Sequence, residues 1–338
     1  MRIAVIGLGF MGSTHLRALK SVERAELVAV CSIDESQLTG DLSKIEGNLG
    51  TKGEVLDFSK IQKYSNVQDV FKDPNVEAVD ICLPTDLHSS VAIAALRAGK
   101  HVLVEKPMAL SGAIADEMVR EGEKSGKVLM AAQVLRFFPA YKALHEAVTR
   151  GGLGPVRSAL FRRRCAAPAW SGWLADPSKS GGGVFDLLIH DADMCVHLFG
   201  MPEAVSATGY EDLQGGIDTV TATLHYSNIP SVVISGGWHH KKAYPFSMEY
   251  TVVMQGGTMD FSSARGDATL YDEAGEAKPV ALSGRDGFEA ELQYFVDCCR
   301  SGAKPEICPP QQSADSVKLA LLMVEARKHN GERISCRN

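Results

Sequence analysis

A carboxylate and an imidazole, Asp186 and His190, stand within an apolar stretch of the chain. Because they are four positions apart, a helix would carry them on one face, one turn from each other. Such groups need partners when the surrounding segment is buried, and a cleft supplies them. Histidine transfers protons near neutral pH, and a nearby carboxylate orients it and raises its basicity. The pair therefore predicts a general acid or base.

Two other interpretations of this segment stay open. The glycines at 181–183 end a loop and start the helix, so Asp186 could be a helix-N-terminal residue beside a core histidine. Alternatively, His190, Asp193 and His197 have helical spacing and could bind a metal. No further acidic or cysteine cluster supports a fourth ligand, so no metal is expected.

A charged pair, Glu105 and Lys106, follows directly after the apolar run 101–104. Charges that emerge from a buried strand are unusual unless they face a cleft. An ammonium there could polarise a substrate hydroxyl or carbonyl, or stabilise a developing alkoxide. A Glu–Lys pair on the protein surface is the alternative.

The N-terminal residues provide the context of a dinucleotide-binding fingerprint. An apolar run, 3–6, leads into Gly7-x-Gly9-x-x-Gly12, and a helical pattern follows. The first glycine permits the tight turn, the second leaves room for a pyrophosphate, and the third lets the helix pack close to the strand. The phosphates would lie at the helix N-terminus. A glycine-rich turn in another kind of α/β protein is the alternative.

Two further segments fall at the carboxyl ends of predicted strands, where open α/β sheets bind their ligands. Asp34 follows the apolar run 27–31, near the position of a ribose-binding carboxylate. Thr85 and His88 follow the run 78–83 and are placed to touch the cofactor. A turn in which His88 starts the next helix is the alternative.

The elements that would position these residues differ between the two parts of the chain. In residues 1–135, apolar runs alternate with helical patterns, which predicts a Rossmann domain, a doubly wound parallel sheet that binds a dinucleotide. In residues 136–338, period-two patterns predict an α+β domain with a large, mostly antiparallel open sheet. The predicted strands are 3–6, 27–31, 78–83, 101–104, 128–132, 156–165, 218–226, 231–235 and 248–254, and the helices are 89–98, 114–125, 288–300 and 313–329.

Length and composition fit a two-domain cytoplasmic enzyme. The chain has 338 residues, 45% hydrophobic and 22% charged, with a formal net charge of -6, which argues against a nucleic-acid or anionic-membrane surface. Its eight cysteines form no CxxC motif, so we expect free thiols in a reducing compartment. No segment is apolar enough to span a membrane, and because a predicted strand opens at residue 3, we expect no signal peptide.

Together these motifs resemble those of the Gfo/Idh/MocA family, the NAD(P)-dependent oxidoreductases related to glucose–fructose oxidoreductase and inositol dehydrogenase. The glycine loop is similar to the family's opening, and residues 84–88 are similar to its second cofactor motif. Residues 105–107 are similar to its E-K-P signature, and residues 181–190 match its G-G-G-x-x-x-D-x-x-x-H pattern. The resemblance covers nearly the whole chain.

The resemblance implies a catalytic trio and a cofactor site. Lys106, Asp186 and His190 match the family's catalytic lysine, aspartate and histidine. Its C-terminal sheet would supply the substrate wall and pack against another subunit, so a homo-oligomer (dimer or tetramer) is expected, and the last helix would pack back on the first domain. Cofactor contacts are implied at Gly7, Gly9, Phe10, Met11, Gly12, Ser32, Asp34, Leu83, Thr85, His88, Glu105 and Lys106.

Two departures from the family's pattern concern the cofactor. NAD-preferring members often end the second strand in Asp, and NADP-preferring members often have Ser followed by a basic residue; this chain has Ser32 followed by Ile33. A carboxylate at Asp34 would repel a 2′-phosphate, which favours NAD over NADP. Asp86 stands where the family commonly has Asn.

The expected activity is hydride transfer between a nicotinamide and a polyhydroxylated small molecule, such as a sugar or an inositol. His190 would be the general acid or base, Lys106 would stabilise the alkoxide, and Asp186 would orient one of them. The alternatives are a non-catalytic nucleotide-binding regulator of the same fold and a lyase that reduces and reoxidises NAD within one turnover. Candidates for the substrate wall, each of which could instead be structural, are Arg136, Arg163, Trp173 and Asp191.

Overall fold

Internal contacts divide the chain into two units, and the computed structural model describes residues 1–47, 53–168, 172–282 and 284–336. The first unit comprises Met1–Val134 and Arg285–Ala314, and the second comprises Leu135–Gly284 and Asp315–Asn338. The division runs close to the predicted boundary after residue 135. It differs in residues 285–314, which were predicted in the second domain, because their helix packs against the first helix of the chain.

A six-stranded parallel sheet with helices between its strands forms the first unit. Its strand order is β3-β2-β1-β4-β5-β6, the doubly wound order in which ligands bind outside the carboxyl ends of β1 and β4. The predicted Rossmann sheet is confirmed. In chain order the elements are β1 (Arg2–Ile6), α1 (Phe10–Leu19), β2 (Glu26–Cys31), β3 (Gln62–Tyr64), α2 (Val67–Lys72), β4 (Ala78–Ile81), α3 (Thr85–Arg97), β5 (His101–Glu105), α4 (Gly112–Ser125) and β6 (Leu129–Ala132).

A polar segment, described over residues 39–47 and 53–59, extends the core of the first unit. Leu42, Leu56 and Phe58 are buried in one apolar cluster with residues of β1, α1 and β2. A bridge between Asp41 and Val55 ties the two ends of the segment together. Its buried residues are too widely spaced to form a periodic pattern, so local sequence did not reveal this packing.

A nine-stranded sheet dominates the second unit. Its order is β14-β13-β12-β11-β7-β10-β9-β8-β15, in which β7 and β10 run parallel and the remaining neighbours are antiparallel. The predicted mostly antiparallel sheet is confirmed. The remaining elements of the chain are α5 (Pro139–Thr149), β7 (Val156–Ala166), α6 (Pro177–Ser180), α7 (Gly183–Phe199), β8 (Ala204–Asp212), β9 (Ile217–His225), β10 (Ser231–His240), β11 (Ser247–Met254), β12 (Gly257–Ser262), β13 (Asp267–Asp272), β14 (Ala277–Pro279), α8 (Gly287–Ser301), α9 (Pro310–Lys328) and β15 (Ile334–Ser335).

The two faces of this sheet differ in character. α7 covers one face, against β7, β9 and β10. Three consecutive arginines of β7 alternate between the faces, as the period of a strand requires. Arg163 is buried and pairs with Asp191 of α7, whereas Arg162 and Arg164 pair with Glu249 of β11.

Two element boundaries bear on the site. α3 begins at Thr85 rather than at the predicted residue 89, so Thr85 and His88 lie in its first turn. The predicted helix 313–329 is α9, whose packing on the first domain stays a prediction. Within the described residues, no helix combines the length and apolarity needed to cross a membrane.

Candidate functional site

The glycine loop joins β1 to α1 in a turn that side chains would block. Gly7 has φ +93°, and a Cβ there would lie 2.4 Å from the carbonyl oxygen of Cys82. A Cβ on Gly12 would lie 1.9 Å from the carbonyl oxygen of Gly7. A Cβ on Gly9, the N-cap of α1, would meet nothing within 4 Å, so the helix N-terminus is open at this point. The loop therefore fits a dinucleotide pyrophosphate, with Phe10 and Met11 partly exposed in the first turn.

This contrast between the glycines gives a matched pair of variants. Gly12→Ala is expected to lower the free energy of unfolding by about 3 kcal/mol, the upper end of the usual cost of overpacking. Gly9→Ala should leave the unfolding free energy close to that of the wild type and weaken NADH binding, because its methyl group occupies only ligand space. Thermal unfolding and a fluorescence titration measure both. Equal thermal stability of the two variants would contradict this description of the turn.

The segment 84–88 contains buried polar atoms without a hydrogen-bond partner among the described residues. Thr85 is 1% exposed, and among the described residues nothing hydrogen-bonds its Oγ1 or Asp86 Oδ1. Unpaired buried polar atoms cost free energy, so both atoms fit contacts to a bound cofactor. His88 differs, because Nδ1 and Nε2 each lie 2.7 Å from a backbone carbonyl, those of Pro107 and Leu83. Both ring nitrogens of His88 therefore contact the backbone, and contact of this ring with the cofactor stays a prediction.

The end of β2 presents an ionised carboxylate. Asp34 is exposed, and its Oδ1 accepts hydrogen bonds from the hydroxyl and N–H of Ser36 at 2.7 and 2.9 Å, which lower the pKa of Asp34. Ser32 is buried and donates to Gln37 Oε1 at 2.8 Å. The Ser32 hydroxyl is therefore used within the protein, whereas the Asp34 carboxylate is exposed, and its contact with a ribose stays a prediction.

Lys106 follows β5 directly and is half-buried. Its backbone N–H donates to Oε2 of Glu105 at 3.0 Å, and Glu105 is itself 5% exposed. Glu105 Oε1 lies 3.0 Å from Nε2 of His15 in α1, and His15 Nδ1 lies 2.9 Å from Oδ2 of Asp80 in β4. Glu105 is thus no member of a surface Glu–Lys pair but part of a buried charged row, whose members come from distant segments that no single motif joins.

His15, Asp80 and Cys82 are the one group of clustered metal-ligating side chains in the part of the chain that the structure describes. Their mutual contacts leave little space for an ion, because the imidazole reaches the carboxylate directly and Cys82 Sγ lies 3.6 Å from both partners. Burial also raises the pKa of the Cys82 thiol, which disfavours a thiolate ligand. The alternative metal set on α7 fails because Asp193 binds Arg136.

On α7, Asp186 and His190 interrupt a buried stretch. All the remaining residues from Gly183 to Val196 are buried, and these two are half-buried. Burial, with the nearby charge of Asp186, raises the pKa of the Cys165 thiol to about 12. The helix thus presents a carboxylate and an imidazole, one turn apart, along a single accessible strip.

The glycines before α7 let its N-terminus approach the sheet. Gly181 and Gly182 have positive φ angles, and a Cβ on Gly183 would lie 2.5 Å from the indole of Trp238. Asp218 of β9 accepts a hydrogen bond from the N–H of Val184 at 2.9 Å. Fixing this end of the helix against β9 and β10 fixes the turn that carries the half-buried carboxylate.

Three of the predicted substrate-wall residues are used in buried ion pairs. Arg163 binds Asp191 through two hydrogen bonds of 2.8 and 3.1 Å, and Arg136 binds Asp193 through two of 2.8 and 2.7 Å. All four side chains are at most 2% exposed. Paired in this way, they support the structural interpretation of Arg136, Arg163 and Asp191. Trp173 lies half-buried in a turn before α6.

A double-variant comparison tests that interpretation. Arg163→Met alone is expected to lower the unfolding free energy by about 3–5 kcal/mol, because it leaves the carboxyl group of Asp191 buried without its partner. Arg163→Met/Asp191→Leu should recover most of that loss. Chemical denaturation measures both variants. A double variant that folds well but loses turnover would instead give the pair a role in the reaction.

The segment 238–246 begins beside the start of α7. Trp238 is buried with Cys165 and Leu187, and Phe246 packs against this cluster. His240 stacks on Tyr244 with ring centroids 3.6 Å apart. Of these aromatic residues, Trp238 and Phe246 form part of the surroundings of the α7 N-terminus.

Comparisons with known proteins agree with this geometry. Residues 1–133 match the model of an oxidoreductase family with an NAD-binding Rossmann fold, and residues 141–260 match the GFO/IDH/MocA C-terminal domain. A myo-inositol 2-dehydrogenase of Thermotoga maritima is 31% identical, over 98% of this chain and 96% of that protein. A trans-1,2-dihydrobenzene-1,2-diol dehydrogenase of Macaca fascicularis is also 31% identical, over 98% and 97%.

Among solved structures, a levoglucosan dehydrogenase in complex with NADH and levoglucosan superposes with a TM-score of 0.85 at 19% identity, covering 100% of both chains. At that identity the likeness concerns the fold. A probable dehydrogenase from Thermotoga maritima gives a TM-score of 0.80 at 26% identity, covering 99% of this chain and 98% of that one. With both halves matched by the family models, the chain belongs to the Gfo/Idh/MocA family and is an NAD-binding oxidoreductase.

Proposed function

We propose that this protein is an NAD-dependent dehydrogenase or reductase that acts on a CH–OH group of a polyhydroxylated small molecule, a sugar, an inositol or a derivative. The observation that supports it most is the strip on α7, where Asp186 and His190 alone stay accessible between Gly183 and Val196. Polar side chains are costly within a buried stretch unless they have a partner. Two polar residues that stay accessible there are therefore suited to contact a ligand.

Each catalytic side chain has a distinct role in this proposal. In the oxidising direction, His190 takes the proton of the substrate hydroxyl. Lys106 stabilises the alkoxide that develops, and Asp186 orients Lys106 or His190. The bound nicotinamide supplies the hydride acceptor. The glycine loop, Thr85 and the Asp34 carboxylate would hold the dinucleotide.

The substrate class rests on the relatives. Those at 31% identity are named as dehydrogenases of myo-inositol and of a cyclic trans-diol. Because Arg136, Arg163 and Asp191 are used in ion pairs, we place the specific contacts to a neutral polyol elsewhere, with Trp173 retained as a candidate. We also retain the expected cytoplasmic location and a homo-oligomer through the C-terminal sheet, whose Leu160 is 39% exposed.

NAD rather than NADP is the proposed cofactor, since Asp34 is ionised at the strand end. Asp34→Asn preserves the bonds from Ser36 and removes the charge, so we expect NADH to bind about tenfold more weakly and NADPH no more weakly than before. Asp41→Asn is the matched control, because Asp41 makes the same two bonds to Ser43. Fluorescence titrations at fixed ionic strength measure both. Unchanged NADH affinity in Asp34→Asn would remove this residue from the site.

A panel assay separates the proposal from its two alternatives. Purified protein is mixed with NAD⁺ or NADP⁺ and with myo-inositol, levoglucosan or a trans-diol, and nicotinamide reduction and substrate loss are followed together. A dehydrogenase produces NADH as substrate disappears. A lyase consumes substrate without accumulating NADH, and a regulator consumes nothing although it binds NADH in the fluorescence titration.

A further inference from the structure

Behind the Lys106 backbone lies a buried row of ionisable groups contributed by three elements. His15 of α1 is 0% exposed and stands between Asp80 of β4 and Glu105 of β5, at 2.9 and 3.0 Å. Cys82 lies 3.6 Å from the same ring, and the ring of Phe288 from α8 lies 6.1 Å away. β1, which leads into α1, lies beside β4, and β4 lies beside β5. This order brings the side chains of His15, Asp80 and Glu105 together.

The row alternates in charge. Burial alone would lower the pKa of His15, but the charge and hydrogen bond of Asp80, together with the contact to Cys82, outweigh burial and raise that pKa well above the ordinary value. Burial would likewise raise the pKa of Glu105, but the contact with His15 outweighs it and lowers that pKa. The imidazolium therefore offsets two buried carboxylates, each of which would be costly alone.

One end of this row holds the peptide unit of Lys106. Oε2 of Glu105 accepts the N–H of Lys106 at 3.0 Å, while Oε1 faces His15. On the far side, His88 Nδ1 lies 2.7 Å from the carbonyl oxygen of Pro107. Lys106 is thus held from both sides by groups anchored in the buried interior of the first unit.

We propose that His15 is a positioning residue for Lys106, which it fixes through Glu105 without touching substrate. A cation that contacts one oxygen of a carboxylate fixes the orientation of the whole group, including its second oxygen. Residues that hydrogen-bond to a metal ligand fix the orientation of that ligand in the same way. The inference rests on the proposed function in so far as Lys106 acts on the reacting hydroxyl. The inference adds His15, which is not one of the family's three catalytic residues, to the residues that the reaction requires.

A double-variant cycle tests the route through Glu105. His15→Gln, Glu105→Gln and the double variant are assayed with NAD⁺ and the polyol that the wild type oxidises fastest. We expect each single variant to lower kcat about 10–100-fold, with the Kd for NADH within about threefold of the wild type. If His15 acts through Glu105, the double variant should be no slower than the slower single variant. Losses that multiply, or a normal kcat in His15→Gln, would overturn the proposal.

Removing the buried cation could unfold the single variant His15→Gln. The double variant removes one positive and one negative charge together, so it leaves no unpaired charge. Comparing it with Glu105→Gln therefore provides the same test: the addition of His15→Gln must not lower kcat further. His101→Gln is the matched control, since His101 begins β5 and its Nδ1 accepts the N–H of Val128 at 3.0 Å. It should keep the wild-type kcat.

A readout that does not depend on turnover separates this inference from the proposed function. The ε-carbon NMR resonance of Lys106, in protein labelled at lysine, is assigned by its loss in Lys106→Arg. We expect His15→Gln to shift this resonance and His101→Gln to leave it in place. An unmoved resonance overturns the positioning role, whereas a full kcat in Lys106→Ala overturns the proposed function.

Discussion

Lys106→Met is expected to lower kcat about 10²–10³-fold, because it removes a charge that stabilises the alkoxide only as it develops. Methionine has a similar length and keeps the apolar stem in place. Since the glycine loop and Thr85 do not depend on this ammonium, the Kd for NADH should stay within about threefold of the wild type. Steady-state kinetics and a fluorescence titration measure the two quantities.

Lys124→Met is the matched control for that variant. Lys124 lies in the same unit on α4, and its side chain is 78% exposed. It should turn over at the wild-type rate. A Lys106→Met variant that matches this control in kcat would exclude Lys106 from the reaction, and one that loses NADH binding in proportion would make it a cofactor ligand alone.

His190→Gln is expected to lower kcat about 10²–10⁴-fold, the usual contribution of a general acid or base. Glutamine retains hydrogen-bonding atoms but cannot carry the proton near neutral pH. The pH dependence of kcat should also change, since the limb that reports the ionisation of His190 disappears. Folding should be preserved because position 190 is half-buried, on the accessible strip of α7.

His197→Gln, on the same helix, controls for the second variant. The ring of His197 stacks on His145 with centroids 4.2 Å apart. If His190 is the general acid or base, the control variant His197→Gln should stay active. If both variants were inactive and activity depended on added metal, the alternative of a metal site on α7 would return.

Much of the fold follows from local sequence patterns. Apolar strands beside a glycine loop predicted the Rossmann sheet, and period-two strands predicted the antiparallel sheet. β3 was missed because Gln62 and Lys63 are exposed at the sheet edge, so no apolar run marks it. The return of residues 285–314 to the first unit depends on the packing of α8 on α1, which no local pattern encodes.

The candidate site was predictable where the residues lie in one short motif, because the helical spacing of Asp186 and His190 on α7 already places them on one face. It was not predictable where partners come from distant segments. His15 lies in α1, Asp80 in β4 and Glu105 at the end of β5, and only the sheet order brings these segments together. The available signal was Asp80, a charge within an otherwise apolar strand. Arg163 and Asp191 were chosen because they flank motifs, a criterion that cannot tell a ligand contact from an ion pair.

The most direct test of the central claim, hydride transfer from a polyol carbon to the nicotinamide, is isotopic. The protein is incubated with NAD⁺ and myo-inositol, or the best substrate of the panel, deuterated at carbon, and the nicotinamide and the product are analysed by mass spectrometry. We expect deuterium in NADH, lost from the oxidised product, and a transfer rate about 10²–10³-fold lower with Lys106→Met. Oxidised product with no deuterium in NADH, or deuterium returned to the product without net NADH, would contradict the claim.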